Sequence, residues 1–115
     1  MRSRDVRVHL FDLLEAADAV ASFVEDRDLA DYRASLMLRS AVERQLEIVG
    51  EAMARALAIE PELETRLPDA RRVIDFRNVV AHGYDVLDDS RVWDIAVRLV
   101  PELRESVSGI LTARG

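Results

Sequence analysis

The segment RNVVAHGYD, residues 77–85, gathers polar residue types that are scarce in the rest of the chain. It holds the only asparagine (Asn78), one of two histidines (His82), one of two tyrosines (Tyr84) and one of four glycines (Gly83). Each can do chemistry. His82 can move a proton near neutral pH, and Arg77 can grip a phosphate with a forked pair of hydrogen bonds. Asn78 can orient a leaving group or the imidazole, and Tyr84 can donate a hydrogen bond or stack on a base. The set suits cleavage of an RNA phosphodiester by its own 2′-hydroxyl. His82 would act as general base or acid and Arg77 would stabilise the charge gathering on phosphorus, with no metal required. A plainer reading of the same residues is a helix C-terminus, where a cationic His82 complements the dipole and Tyr84 packs its ring while its hydroxyl stays wet.

The spacing sets a geometric condition. At about 100° per residue, Arg77 and His82 point roughly 140° apart on one regular helix. Arg77 shares a face with Tyr84, and His82 shares one with Asn78. Bringing Arg77 and His82 together needs either unwinding at His82–Gly83 or a second subunit. The second route predicts a symmetric dimer whose motifs face each other across a two-fold axis.

The elements that must carry this segment read as helices. Val6, Leu10, Leu13, Leu14, Ala17, Val20 and Val24 recur at three-and-four spacing, giving a first helix over about residues 4–26 with Ser3 or Asp5 as N-cap. The charged run Glu25-Asp26-Arg27-Asp28 reads as a break. A second long helix starts at the latest from Ser35, carries Leu38, Val42, Leu46, Val49, Met53 and Ala56, and ends before Pro61. Pro68, with Asp69 in the first turn, opens a third helix through Val73, Ile74 and Val80 that Gly83 stops. Asp88 or Asp89 caps a fourth, with Val92, Trp93, Ala96, Leu99, Leu103, Val107, Ile110 and Leu111 in its apolar rows. Pro101 should kink it. No alternating strand pattern, linker or repeat is visible. The expected architecture is an all-α, up-and-down four-helix bundle forming one domain over residues 1–115.

Composition narrows the chemistry. The chain of 115 residues is 50% hydrophobic and 33% charged, a globular balance. Without cysteine there is no disulfide, thiolate metal site or cysteine nucleophile. No spacing suggests metal ligands or a cofactor loop, so none is expected. The arginines and the lack of an apolar run before Asp12 predict no secretory leader, and no stretch has the length of a membrane span; a cytoplasmic protein is expected. The net charge of −6 disfavours non-specific nucleic-acid binding. Arg66, Arg71, Arg72 and Arg77, opposed by Asp69 and Asp75, nonetheless make a local positive patch.

Other candidates read more blandly. Arg39, Glu43, Glu47, Glu51 and Arg55 fall at successive i+4 positions, as expected of a solvated, salt-bridged line. Within it, Gly50 would let another helix approach, and Glu51 could then pair with an arginine such as Arg77 and support the site. His9 reads as surface or packing, Trp93 and Phe76 as core or dimer contacts, and Tyr32 as part of the break between helices.

The string R-N-V-V-A-H-G-Y resembles the R-x-x-x-x-H-x-Y signature of HepT-like proteins, a branch of the HEPN superfamily of small helical ribonucleases. AVERQLEIVGEA (residues 41–52) and DSRVWDIAVRLVPELRESV (residues 89–107) are similar to two further segments of that family, in the same order. The resemblance implies a HEPN four-helix bundle and a homodimer whose motifs line a central cleft. It makes Arg77 and His82 the catalytic pair and Asn78 the polar residue beside the arginine. It also implies a toxin of the HepT/MntA (type VII-like) kind, acting on RNA, tRNA included. Its partner would be a minimal, MntA-like nucleotidyltransferase antitoxin that adenylylates Tyr84. A second function from another class is a catalytically inactive helical subunit that binds such a nucleotidyltransferase.

Overall fold

The computed structural model describes the backbone of residues 3–82 and 88–114 and the side chains of residues 6–78 and 88–113. The described residues are helical and include no strand. Helix α1 spans Ser3–Val24, α2 Leu29–Ala34, α3 Leu36–Ile59, α4 Ala70–His82, α5 Asp89–Asp94 and α6 Val100–Arg114. A 3-10 turn, Pro61–Thr65, follows α3, and a π-helical turn, Ile95–Leu99, joins α5 to α6.

Helix α3 organises the molecule. One side packs along α1 and another along α4, while α1 also packs against α6. The apolar rows explain this arrangement. Leu38, Val42, Leu46, Val49, Met53 and Ala56 are all buried, and they meet Val6, Leu10, Leu13, Ala17 and Val20 from α1. Val73, Ile74 and Phe76 bury the inner face of α4. Leu99, Leu103, Val107, Ile110 and Leu111 close the core from the C-terminal side. Leu14, Val24 and Trp93 are only partly buried. The α1 backbone is helical from Ser3, so Asp5 lies within the helix and is not its N-cap; the side chains of Ser3, Asp5 and Val80 lie outside the described residues.

The helix ends obey local chemistry. Ser35 caps α3, its Oγ accepting from the Leu38 amide at 3.0 Å. Pro61 starts the 3-10 turn at a position where its missing N–H costs nothing. Asp88 caps α5, accepting from the Ser90 amide at 3.0 Å and the Ser90 hydroxyl at 2.7 Å. Helix α4 begins at Ala70, two residues past Pro68, whose turn ends in the Ala70 amide bonding the Leu67 carbonyl at 2.9 Å.

Two local features depart from the sequence reading. The charged run Glu25–Asp28 is the break, as expected, but an extra helix α2 follows it, started by a capping box between Asp28 and Asp31. The break itself turns at Asp26, whose φ is 61°. Ahead of Pro101 the chain widens to a π-turn, with the Val100 amide reaching Ile95, and helix resumes across the proline. A wide turn is one of the ways a helix accommodates a residue that lacks a donor.

Helix α2 carries Tyr32 into the core, fully buried, its ring 5.5 Å from Trp93 at a 47° tilt. The expectation that Tyr32 lies in an uninformative break is therefore corrected: a short helix and an aromatic partner hold it. Its hydroxyl is buried without a hydrogen-bond partner among the described residues. Burial first, then the Glu43 and Asp89 carboxylates, push the phenol pKa far up.

Two substitutions test this packing. Tyr32→Phe deletes a buried oxygen with no partner, so urea unfolding should show no loss and a gain of up to about 1 kcal/mol. In Gly50→Ala, an added Cβ would lie 2.4 Å from Arg77 Cβ and 2.6 Å from the Val73 carbonyl oxygen. Alanine should gain roughly 0.5–1 kcal/mol in helix propensity. The forced separation of α3 and α4 should outweigh that, for a net loss of about 1–2 kcal/mol in the same measurement.

Candidate active site

The site is built where α3 and α4 cross at Gly50. With no side chain there, the α4 backbone at Val73 and the Arg77 stem lie directly on α3. Glu51, the next residue, is thereby placed at the edge of the crossing, facing the Arg77 guanidinium.

Arg77 is held on two sides. Its Nη1 donates to Glu51 Oε1 at 2.5 Å and its Nη2 donates to Asn78 Oδ1 at 2.7 Å. Its Nε is buried without a partner among the described residues. The guanidinium is thus anchored, and the Arg77 side chain as a whole remains 26% exposed. Glu51 has a second claim on it: Arg55 Nε donates to Glu51 Oε2 at 2.7 Å. One carboxylate bridges two arginines. The hydrogen bond from Arg55, then the one from Arg77, hold the Glu51 carboxyl below the ordinary carboxylate range.

The sequence-expected residues fall as follows. Arg77, Asn78 and Glu51 are brought together in one hydrogen-bonded chain. His82 is the last helical residue of α4, and its side chain lies outside the described residues, as do Gly83 and Tyr84 entirely. The α4 backbone stays helical from Arg77 through His82. One of the two expected routes, unwinding at His82–Gly83, falls partly outside the described residues, because Gly83 does.

Electrostatics around the site are less positive than the arginine count suggests. Arg71 pairs with Glu64 at 2.9 Å and Arg72 with Asp69 at 3.5 Å, while Arg77 has Glu51. The i+4 line on α3 also differs from a uniform solvated stripe. Only Glu51–Arg55 forms the expected i+4 pair, whereas Glu47 pairs with Arg44 at 3.1 Å. Arg39 turns away to donate to the Tyr32 carbonyl at 3.4 Å and to the Arg33 carbonyl. Glu43 is half-buried, and burial first, then Asp89, raise its pKa. Among the described residues no three His, Asp or Glu side chains converge as metal ligands. No described helix is long and apolar enough to cross a membrane.

Residues 13–110 match the family described as Ribonuclease HepT-like. The chain belongs to that family. Over 109 residues it is 33% identical to "Putative RNase MJ1380" of Methanocaldococcus jannaschii, covering 93% of this chain and 97% of the relative. "Putative RNase MJ0125" of the same organism is 26% identical over 113 residues, covering 96% of this chain and 95% of the relative. "Putative RNase TTE0752" of Caldanaerobacter subterraneus subsp. tengcongensis is 25% identical over 105 residues, covering 91% and 93%. No solved structure matches the chain. The HepT-like match contains the whole Gly50–Glu51–Arg77 crossing and the motif that follows it.

The depressed Glu51 pKa has a consequence for acid stability. A carboxyl lowered on folding contributes stability above its unfolded pKa of about 4.3, and that contribution disappears as pH falls through the folded value. Glu51 is 41% exposed, so solvent screening keeps its effect small. Glu51→Gln should lose about 1 kcal/mol or less at pH 7, and the gap to wild type should close below about pH 4. Urea midpoints measured across that range check the sign.

Proposed function

We propose that this HepT-like protein is a metal-independent endoribonuclease in which Arg77, Asn78 and His82 act together, His82 and Arg77 being paired between two copies of the chain. The observation that carries this reading is the guanidinium anchored at the α3–α4 crossing on a helix that stays regular through His82. Each terminal nitrogen of an arginine bears two hydrogens. Glu51 and Asn78 take one on each nitrogen, which leaves a second on each for phosphate oxygens. The arginine is thus oriented before substrate arrives, and such preorganised charge is effective at a developing phosphorane.

In the reaction, the RNA 2′-oxygen attacks the adjacent phosphorus as an imidazole takes its proton. The phosphorus–5′-oxygen bond breaks, and the departing 5′-oxygen is protonated. A 2′,3′-cyclic phosphate and a 5′-hydroxyl result. Arg77 balances the extra negative charge midway, and Asn78 fixes the guanidinium plane. A homodimer supplies two copies of each group to one cleft. Because Arg77 and His82 point about 140° apart on one regular helix, the partner's contribution resolves the geometry.

The activity fits a toxin acting on RNA, tRNA included, under the control of an MntA-like nucleotidyltransferase. That partner would transfer an adenylyl group from ATP to the Tyr84 hydroxyl with release of pyrophosphate. The added phosphate, two residues from His82, would place negative charge where the RNA phosphate must sit. A second reading has one observation in its favour: three arginines of the local patch are already neutralised by carboxylates. In that reading the chain is an inactive helical subunit that binds the nucleotidyltransferase, and His82 is dispensable.

Expression of the chain alone separates the two. Wild type should arrest growth and fragment RNA. Arg77→Ala and His82→Ala should each lose cleavage by about 100-fold or more, with unchanged helicity and dimerisation. Undiminished cleavage by a stringently purified double variant would remove the catalytic assignment.

A further inference from the structure

A groove of about 430 Å³ runs between α1 and α3, and its lining includes Glu51, the carboxylate that holds Arg77. Its volume lies within the roughly 300–1,000 Å³ typical of small-molecule sites. On one wall stand His9, Asp12 and Glu15 of α1; on the other, Gln45, Ile48 and Arg55 of α3. These residues follow the helical repeat, so both walls are continuous faces rather than scattered side chains. Arg55 is committed to Glu51, whereas Asp12, Glu15 and Gln45 make no hydrogen bond or ion pair among the described residues.

The lining selects its occupant. Ionised carboxylates accept hydrogen bonds and cannot donate them, and they repel phosphate. A nucleic-acid backbone is therefore excluded from the groove, while a base whose edge presents adjacent donors is favoured. Guanine does this: N1–H and the 2-amino group stand side by side and match the two oxygens of one carboxylate. Uracil has a single N–H between two carbonyls. Adenine and cytosine set a lone pair beside their amino group. Ile48 and the His9 ring supply apolar and aromatic surface against the base plane, and aromatic faces commonly support unpaired bases in this way.

We infer that the α1–α3 groove is a guanine pocket, in which Asp12 or Glu15 accepts from N1–H and the 2-amino group of an unpaired base next to the phosphate held by Arg77. The pocket deepens the ribonuclease reading and rests on it for its substrate class. Glu51 joins the two regions. One of its oxygens orients the phosphate-binding arginine and the other holds Arg55 at the groove wall.

The test uses the full chain and binding as well as cleavage. Short 2′-O-methyl oligouridines cannot be cut through their 2′-oxygens, so anisotropy reads affinity alone. An oligouridine bearing one guanine should bind about tenfold or more tighter than the all-uridine strand, and inosine, which lacks the 2-amino group, should lose most of that gain. The double variant Asp12→Asn/Glu15→Gln alters exposed positions, and circular dichroism confirms its fold. It should erase the guanine preference while raising affinity for every strand, since negative charge is removed. Equal affinity of wild type for all three strands, or a preference that survives the double variant, overturns the pocket. The same sequences with 2′-hydroxyls test the nuclease separately. Cleavage without base preference leaves the ribonuclease reading standing and removes the pocket; guanine preference without cleavage does the reverse.

Discussion

The absence of a side chain at Gly50 is the constraint on which the site depends. Helix α4 lies on α3 there so closely that even a methyl group would meet both the Val73 carbonyl and the Arg77 stem. Glycine inside a helix costs roughly 0.5–1 kcal/mol relative to alanine. The fold tolerates that cost because the close approach fixes where the arginine emerges. Any larger residue would move α4 outward and carry the guanidinium away from Glu51. A backbone requirement on one helix thus becomes a side-chain position on another.

The ion pair that follows is better understood as orientation than as stability. Partly exposed pairs contribute about 0–1 kcal/mol. What Glu51 does is divide its two oxygens between Arg55 and Arg77, while Asn78 takes the far nitrogen of Arg77. An unrestrained arginine would lose rotamer freedom on meeting a phosphate. This one has already lost it on folding, and the Val73–Phe76 face packed on the core helps bear the entropy. The neighbouring arginines are paired in the same way, Arg71 with Glu64 and Arg72 with Asp69, so the patch adds little net positive charge to the acidic chain.

Much of this was legible in the sequence because helices write their burial at a fixed repeat. The rows of α1, α3 and the C-terminal helix identified most core residues, with Leu14, Val24 and Trp93 only partly buried, and Ser35, Asp88 and Pro61 marked helix ends through chemistry local to each. The Glu51–Arg77 contact could be anticipated only because glycine in a helix row implies a close neighbour; nothing in the spacing chose Arg77 over the other arginines. Helix α2 escaped because one and a half turns are too short for a period to show. Its signal was instead the Asp28–Asp31 spacing, a capping box hidden inside a run of charges. Tyr32 escaped with it. The π-turn before Pro101 could not be separated from a kink, since both answer the same missing N–H. The α1–α3 groove was invisible for another reason: His9, Asp12 and Gln45 are ordinary surface letters until two helices place them face to face.

The regularity of α4 bears on how a single short motif can hold a complete reaction. A helix fixes the angle between its residues as firmly as it fixes their rise. Arg77, held against α3, and a residue five positions later therefore face different directions for as long as the helix continues, and α4 continues through His82. Flexibility in the Arg77 side chain cannot remedy this, since Glu51 and Asn78 restrain it. For a chain that uses both residues on one phosphate, two-fold symmetry is the economical answer. In the dimer proposed above, the tight crossing at Gly50 fixes the arginine to its own bundle, and a second copy would bring the complementary group.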